Sequence, residues 1–303
     1  VSGSDPRSIA VSAPAQLLRG LLDDAATFPP GNAPMGDAVE ARAMYEDSWF
    51  AELLGAFVLR ADRAPELVAA LRTTGLTART STEPLPVTVV VPGGRGTVAD
   101  AVAAVADRSL RVVSVEVALG PLGPDAALLL RTRSQVPPTA QLYVEASTAL
   151  DPAAVMPVLA EAGVRGKIRT GGTSAAAFPD EATVARFVLA AVEARVPFKA
   201  TAGLHNALRH RDEDTGFEHH GFLNLLAATA AAHLHGAGER QVHALLAARD
   251  ADPLLDVLTG LDAEQAVAVR QSFVSFGTCS TVEPVEDLAG LGLVARPAVG
   301  VGA

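Results

Sequence analysis

Short runs of apolar and β-branched residues alternate along the chain with stretches whose apolar positions recur at helical spacing, the pattern of consecutive βαβ units. Eight segments read as strands: residues 21–25, 55–60, 86–92, 111–118, 140–146, 166–170, 197–202 and 272–279. Helix start signals lie between them, such as Asp151-Pro152 ahead of residues 153–162 and Asp180-Glu181 ahead of residues 182–195, with Gly163 placed to stop the first of these. Eight parallel strands with intervening helices close on themselves, so the expected fold class is α/β, a single (β/α)8 TIM barrel. The polar, Pro-containing stretch 79–86 reads as a loop within that barrel.

One connection breaks the rhythm. About 70 residues separate the seventh and eighth strands, far more than a usual return, and they hold all seven histidines: His205, His210, His219, His220, His233, His235 and His243. Within this connection, residues 221–235 are apolar on nearly every face and read as a buried helix. Residues 239–249 and 263–273 read as amphipathic helices, and the charged run 210–219 as a mobile loop. The expected organisation is one barrel over residues 1–295, with a helical insertion at 204–271 after the seventh strand and a disordered tail at 296–303.

Composition narrows the class. A chain of 303 residues, 49% hydrophobic, can build one large core. The lone Cys279 allows no intrachain disulfide and no Cys/His zinc spacing, and suits a reducing compartment. Residues 1–10 show no apolar targeting run, and no apolar stretch approaches the ~20 residues that span a bilayer. A cytoplasmic location with no membrane partner is therefore expected. The formal net charge of −10 argues against nucleic acid as a partner. Self-association is left open.

The basic residues are unevenly chosen: of 24, only Lys167 and Lys199 are lysine. Both fall on strand faces with other charges. Alternation turns Glu116 inward, opposite Val115 and Val117, and likewise Glu145; Lys167 and Arg169 lie opposite Ile168, and Lys199 and Thr201 opposite Ala200. Inward strand positions make up roughly a tenth of a chain, so two lysines falling there by chance has odds on the order of one in a hundred. Ionic groups in an interior are costly and tend to mark function. Unlike arginine, lysine can lose its proton and attack a carbonyl, aided by a neighbouring cation. Lys167 and Lys199, on adjacent strands, are the expected nucleophile and activator.

The motifs around these residues resemble those of deoxyribose-phosphate aldolase and its class I relatives. Leu22-Asp23-Asp24-Ala25-Ala26-Thr27 resembles the family's first strand, residues 112–119 its fourth, and Tyr143-Val144-Glu145-Ala146-Ser147 its fifth. Lys167-Ile168-Arg169-Thr170-Gly171 is similar to the Schiff-base strand, Phe198-Lys199-Ala200-Thr201-Ala202-Gly203-Leu204-His205 to the strand of the tuning lysine, and Ser275-Phe276-Gly277-Thr278-Cys279-Ser280 to the last strand.

The resemblance implies a lyase that makes or breaks a C–C bond through a lysine Schiff base on a small aldehyde or ketone, without a cofactor, in carbohydrate metabolism. It implies Lys167, Lys199, Glu116 and Glu145 as catalytic residues. Asp24, Arg169, Thr170, Gly171, Thr201, Gly203, His205, Asn206, Gly277, Cys279 and Ser280 would bind substrate. Gly171-Gly172 and Ala202-Gly203-Leu204-His205 lack the cations that hold a phosphate in the family, which removes support for a phosphorylated sugar.

Two other readings compete. In one, His205, His219, His220 and Glu145 meet around a divalent ion in a metal-dependent lyase or hydrolase. In the other, the barrel binds a metabolite without catalysis. Gly93-Gly94-Arg95-Gly96 reads as an ordinary βα turn or an anion cradle, and Cys279, with no histidine tied to it in sequence, as a small thiol lining the pocket.

Overall fold

The β-branched and apolar alternation of the strand segments resolves into two environments. Val87, Val89, Val115, Val117, Val144, Ile168 and Ala200 are buried, while Thr88, Ser114, Glu116, Lys167 and Lys199 are buried polar residues at the alternate positions. The first set packs under the helices and the second fills the barrel. The computed structural model describes residues 13–93, 97–120 and 123–297. Within it the strands are β1 (Leu22–Asp24), β2 (Leu54–Arg60), β3 (Leu85–Val90), β4 (Leu110–Ala118), β5 (Gln141–Glu145), β6 (Arg165–Arg169), β7 (Phe198–Thr201), β8 (His210–Arg211), β9 (Glu218–His219) and β10 (Phe273–Thr278). Eight of them close a parallel barrel in the order β1-β10-β7-β6-β5-β4-β3-β2, and β8 pairs with β9 alone. Each of the eight strands expected from the sequence has a barrel strand at its place.

The helices begin where side chains can satisfy their free N–H groups. Asp151 accepts from Ala153 N to start Pro152–Glu161, and Asp180 accepts from Thr183 N to start Glu181–Glu193. Gly163, at φ 61°, turns the chain out of the first. The stretch expected as a loop at 79–86 is helical in its first part, Thr77–Thr82.

The insertion after β7 is ordered throughout. The run expected as a mobile loop forms the β8–β9 hairpin, held by the register His210↔His219 and Arg211↔Glu218. The helix Phe222–His235 is buried at every position from Phe222 to Ala232. It packs against Glu181–Glu193, Glu239–Ala247, Asp252–Thr259, Ala263–Ser272 and β10, so a helix with no polar face has neighbours on all sides. The helix Asp252–Thr259 has a short apolar stripe that the sequence reading did not separate from its neighbours. Phe222 stacks on Phe276 at 4.7 Å between ring centres and ties the insertion to the last barrel strand.

No helix among the described residues is long and apolar enough to cross a membrane. Residues 1–10, the turn residues Gly94, Arg95 and Gly96, and residues 298–303 of the expected tail lie outside the described residues.

Candidate functional site

The register of the barrel brings Glu145, Lys167, Lys199 and Ser275 to one level, as Cα partners across β5, β6, β7 and β10. Their side chains form a chain of charges. Lys167 Nζ lies 2.5 Å from Glu116 Oε2 and 2.9 Å from Glu145 Oε2, and Lys199 Nζ lies 2.6 Å from both Glu116 Oε1 and Asp23 Oδ2. Arg169, at the mouth, reaches Glu145 at 3.4 Å. Three carboxylates thus face three cations, which is what allows ionic groups to stay charged in an interior.

Each partner is itself held. Asp23 accepts from Ser275 Oγ at 2.8 Å and from Ala56 N at 2.9 Å. The Tyr143 ring lies 5.5 Å below Lys199 Nζ, and its hydroxyl accepts from Arg165 at 3.0 Å. Burial alone would raise Glu116, yet Lys167 and Lys199 outweigh it and hold the carboxyl down to about 2. Glu145 is lowered too, burial being outweighed chiefly by Lys167. For Lys199, burial favours the neutral amine, but Asp23 and Glu116 together push its pKa up and keep it an ammonium.

The two lysines differ in access. Both side chains are buried, Lys199 at 1% and Lys167 at 5% exposed, but both carboxylate partners of Lys199 are buried, whereas Lys167 touches Glu145, which is 25% exposed, next to Arg169 at 50%. The open side of the cluster is the side of Lys167. A cleft of about 430 Å³ between Ile168, Phe187 and the 146–152 segment, and one of about 480 Å³ around Asn206, Arg209 and Asp287, both lie outside the charge cluster.

Asp24 is not part of the cluster; its neighbour Asp23 is. With β1 only three residues long, alternation sends Asp23 to Lys199 and Asp24 toward the helix Met35–Glu46, where burial pushes its carboxyl up despite Arg42. Thr170 is fully buried and its Oγ1 donates to Ala202 O at 2.7 Å, so it locks the exits of β6 and β7 together instead of facing a ligand. Gly171 and Gly203 cross so closely that a Cβ on Gly171 would lie 2.8 Å from Gly203 Cα, and Gly203 has φ +71°. Asn206 donates to Asp287 at 3.3 Å and anchors the insertion. Thr201 and Gly277 are register partners one step above the lysines.

Beyond Gly277, the thiol of Cys279 meets His205 Nε2 at 3.5 Å, and His205 Nδ1 meets Glu283 Oε2 at 2.8 Å. The histidine that the sequence did not tie to Cys279 comes from the β7 exit. Ser280 Oγ accepts from Glu283 N at 3.5 Å. The reading that gathers His205, His219, His220 and Glu145 around a metal is not met. His219 packs against Phe178 in a tilted pair at 4.6 Å, His220 Nε2 bonds Pro179 O at 2.7 Å, and Glu145 is held by Lys167. No group of three or more His, Cys, Asp or Glu residues suited to a metal ion occurs among the described residues.

Asp23, Tyr143, Ser275 and Glu283 are the site residues that the sequence reading did not select. Tyr143 and Ser275 share inward faces with Glu145 and Gly277, so alternation could have found them; Asp23 lies on a strand too short to fix its phase, and Glu283 sits on a helix with no such signal.

No protein-family model matches the chain, and no curated protein matches it. Among solved structures it is similar to "QR15, an Aldolase", at 12% identity and a TM-score of 0.48 over 92% of this chain and 99% of that one. It is also similar to nitroalkane oxidase from Streptomyces ansochromogenes, at 15% identity and a TM-score of 0.35 over 91% and 99%. At these values the chemistry rests on the geometry of the site itself.

Proposed function

We propose that this barrel is a class I aldolase-type lyase, in which the Lys167 amine adds to the carbonyl carbon of a small aldehyde or ketone. The observation that carries the proposal is the contact chain Glu145–Lys167–Glu116–Lys199–Asp23, with its open end at Glu145 beside Lys167. An ammonium and an iminium carry the same charge. The carboxylates that stabilise resting Lys167 therefore also stabilise the iminium it becomes, and the site needs no reorganisation of charge between the two.

Lys167 must pass through the neutral amine. Glu145, half-buried and in direct contact, is placed to take that proton. Glu116, held down to about 2, stays ionised near neutrality and serves as the fixed counter-ion of both lysines. The amine attacks, the carbinolamine loses its oxygen as water, and the resulting iminium accepts the electron pair of the breaking C–C bond as the β-hydroxyl gives up its proton and becomes the carbonyl of the leaving fragment. The enamine is then protonated and water hydrolyses the iminium, freeing Lys167. Lys199, closed off and permanently charged, supports the ionised state of Glu116 beside it. The substrate class is a small carbonyl compound with no phosphate requirement, since Gly172 and His205 stand where the aldolase relatives carry phosphate-holding cations.

The test is a panel of small aldehydes and ketones, each incubated with the protein and borohydride and followed by intact mass. A stable mass gain equal to a reduced imine with at least one carbonyl compound is the expected result. No gain with any compound, including one shown to be turned over, rejects the Schiff-base reading.

A further inference from the structure

The column of inward positions on β10 runs Ser275, Gly277 and then, just past the strand, Cys279. Ser275 is level with Lys199, so Cys279 stands about 13 Å further along the strand direction, at the rim. Three groups from three segments meet there. The half-buried thiol of Cys279 lies 3.5 Å from His205 Nε2; His205 is delivered by the β7 exit, where Ala202 and Gly203 take positive φ values of 66° and 71°. The other ring nitrogen, Nδ1, lies 2.8 Å from Glu283 Oε2, in the first turn of the helix Val282–Gly290.

The order of these contacts matters more than their number. A carboxylate at Nδ1 fixes that nitrogen as the one bearing hydrogen, which leaves the Nε2 lone pair facing the thiol. A nucleophile, its base and a group that orients the base are thereby arranged in sequence. The interaction with Cys279, and then that with Glu283, raise His205 to about 9 against the opposing effect of burial, so the ring readily holds a proton taken from sulfur. Gly31 packs against the base of the side chain: a Cβ there would be 3.0 Å from Cys279 Cβ, so backbone alone fits at that point. The other side is open, with the His205 side chain 20% and that of Glu283 54% exposed.

We infer that Cys279, His205 and Glu283 form a second nucleophilic site, which takes an acyl group from an activated carboxylic ester. His205 Nε2 takes the thiol proton ahead of the attack, and Sγ then bonds to the acyl carbon as the thiolate. The ester C–O bond breaks, and the leaving alcohol departs with that proton. Water then attacks the thioester carbon, giving a proton to His205, the C–S bond breaks, Sγ recovers the proton and the carboxylic acid leaves. No metal or redox partner enters the balance. This site stands independently of the imine reading, because its nucleophile is sulfur.

The chain has a single cysteine, so its acylation is read without ambiguity. The experiment treats the full chain with p-nitrophenyl acetate, following nitrophenolate release and the intact mass together. The expected result is a burst of nitrophenolate with one acetyl group on the peptide holding Cys279, removed by neutral hydroxylamine as a thioester is. His205→Asn should slow acylation by ~100-fold and Glu283→Gln by a smaller factor. A hydroxylamine-stable acetyl group on Lys167 or elsewhere, or no acetyl group at all, overturns the proposal. So does acetylation of Cys279 at the same rate in folded His205→Asn, which would make it an ordinary exposed thiol.

Discussion

Lys167 and Lys199 are Cα partners across β6 and β7, yet their ammonium groups meet the two oxygens of one carboxylate, Glu116, at 2.5 and 2.6 Å. A direct amine–amine contact would raise the energy of both charges; the shared carboxylate lets both stay.

Replacing that carboxylate should therefore cost stability as well as activity. Glu116→Gln is close in shape but leaves two buried ammoniums without their common counter-ion, a loss of about 3–5 kcal/mol. Urea unfolding at neutral pH measures it. A loss below about 1 kcal/mol, in the range of exposed ion pairs, would show that the pairing is not a structural requirement.

The same carboxylate sets the acid limit. Glu116 lies near 2 in the folded chain against an ordinary 4.5, so the folded state binds its proton less readily than the unfolded chain does. Its contribution is complete above about pH 4.5 and lost as pH falls toward 2. Stability measured at descending pH should fall through that window in the wild type and less steeply in Glu116→Gln. On the alkaline side the sign reverses for His205, whose pKa is raised from 6.5 to about 9. Its contribution is whole below 6.5 and is lost as pH rises through about 9, and His205→Asn should remove that loss.

Gly55 is predicted to be intolerant of even one carbon. A Cβ there would overlap Asp23 Oδ1, which accepts from Ala56 N and whose other oxygen holds Lys199. Gly55→Ala should cost about 1–3 kcal/mol and lower turnover by displacing Asp23. Gly36→Ala, in the helix Met35–Glu46 with nothing within 4 Å of the added carbon, is the control and should gain up to about 1 kcal/mol. Equal stability of the two variants would remove Asp23 from the cluster's support.

Much of this site could be read from strand alternation, because the barrel turns a period of two into an inside and an outside. Glu116, Glu145, Lys167 and Lys199 were legible for that reason, and they do converge. Asp24 follows from the likeness of residues 22–27 to the family's first strand, which does not tell Asp23 from Asp24, and a three-residue strand offers too short a period to fix which of them faces inward. The roles of Thr170, Gly171 and Gly203 in joining two strand exits depend on a crossing between loops, which no local pattern encodes. The Cys279–His205–Glu283 contact joins residues up to 78 positions apart, through an insertion whose path follows from helix packing.

The hairpin should modulate the site through Phe178. Phe178 lies against the Gly171–Gly203 crossing and carries Phe217 and His219 on its ring, at 5.2 and 4.6 Å. Arg209, which anchors the hairpin base to Glu181 at 2.8 Å, must be kept for the hairpin to remain docked. Phe178→Ala should release the hairpin tip and raise KM several-fold, with a smaller change in kcat. Unchanged kinetics, with the hairpin shown to be freed by faster proteolysis, would exclude it from substrate access.

The two amines are not equivalent as nucleophiles. Lys199 is closed off and kept charged by Asp23 and Glu116, while Lys167 opens toward Glu145 and Arg169. Lys199→Arg keeps a cation beside Glu116 and should retain detectable imine formation, whereas Lys167→Arg should abolish it, because a guanidinium stays protonated at any workable pH. The direct measurement is borohydride trapping with a carbonyl substrate that the protein turns over, followed by peptide mass analysis, where the chain's two lysines leave two candidate sites. The reduced adduct should be found on the peptide carrying Lys167 and be lost in Lys167→Arg; an adduct on Lys199 instead would contradict the assignment of the nucleophile.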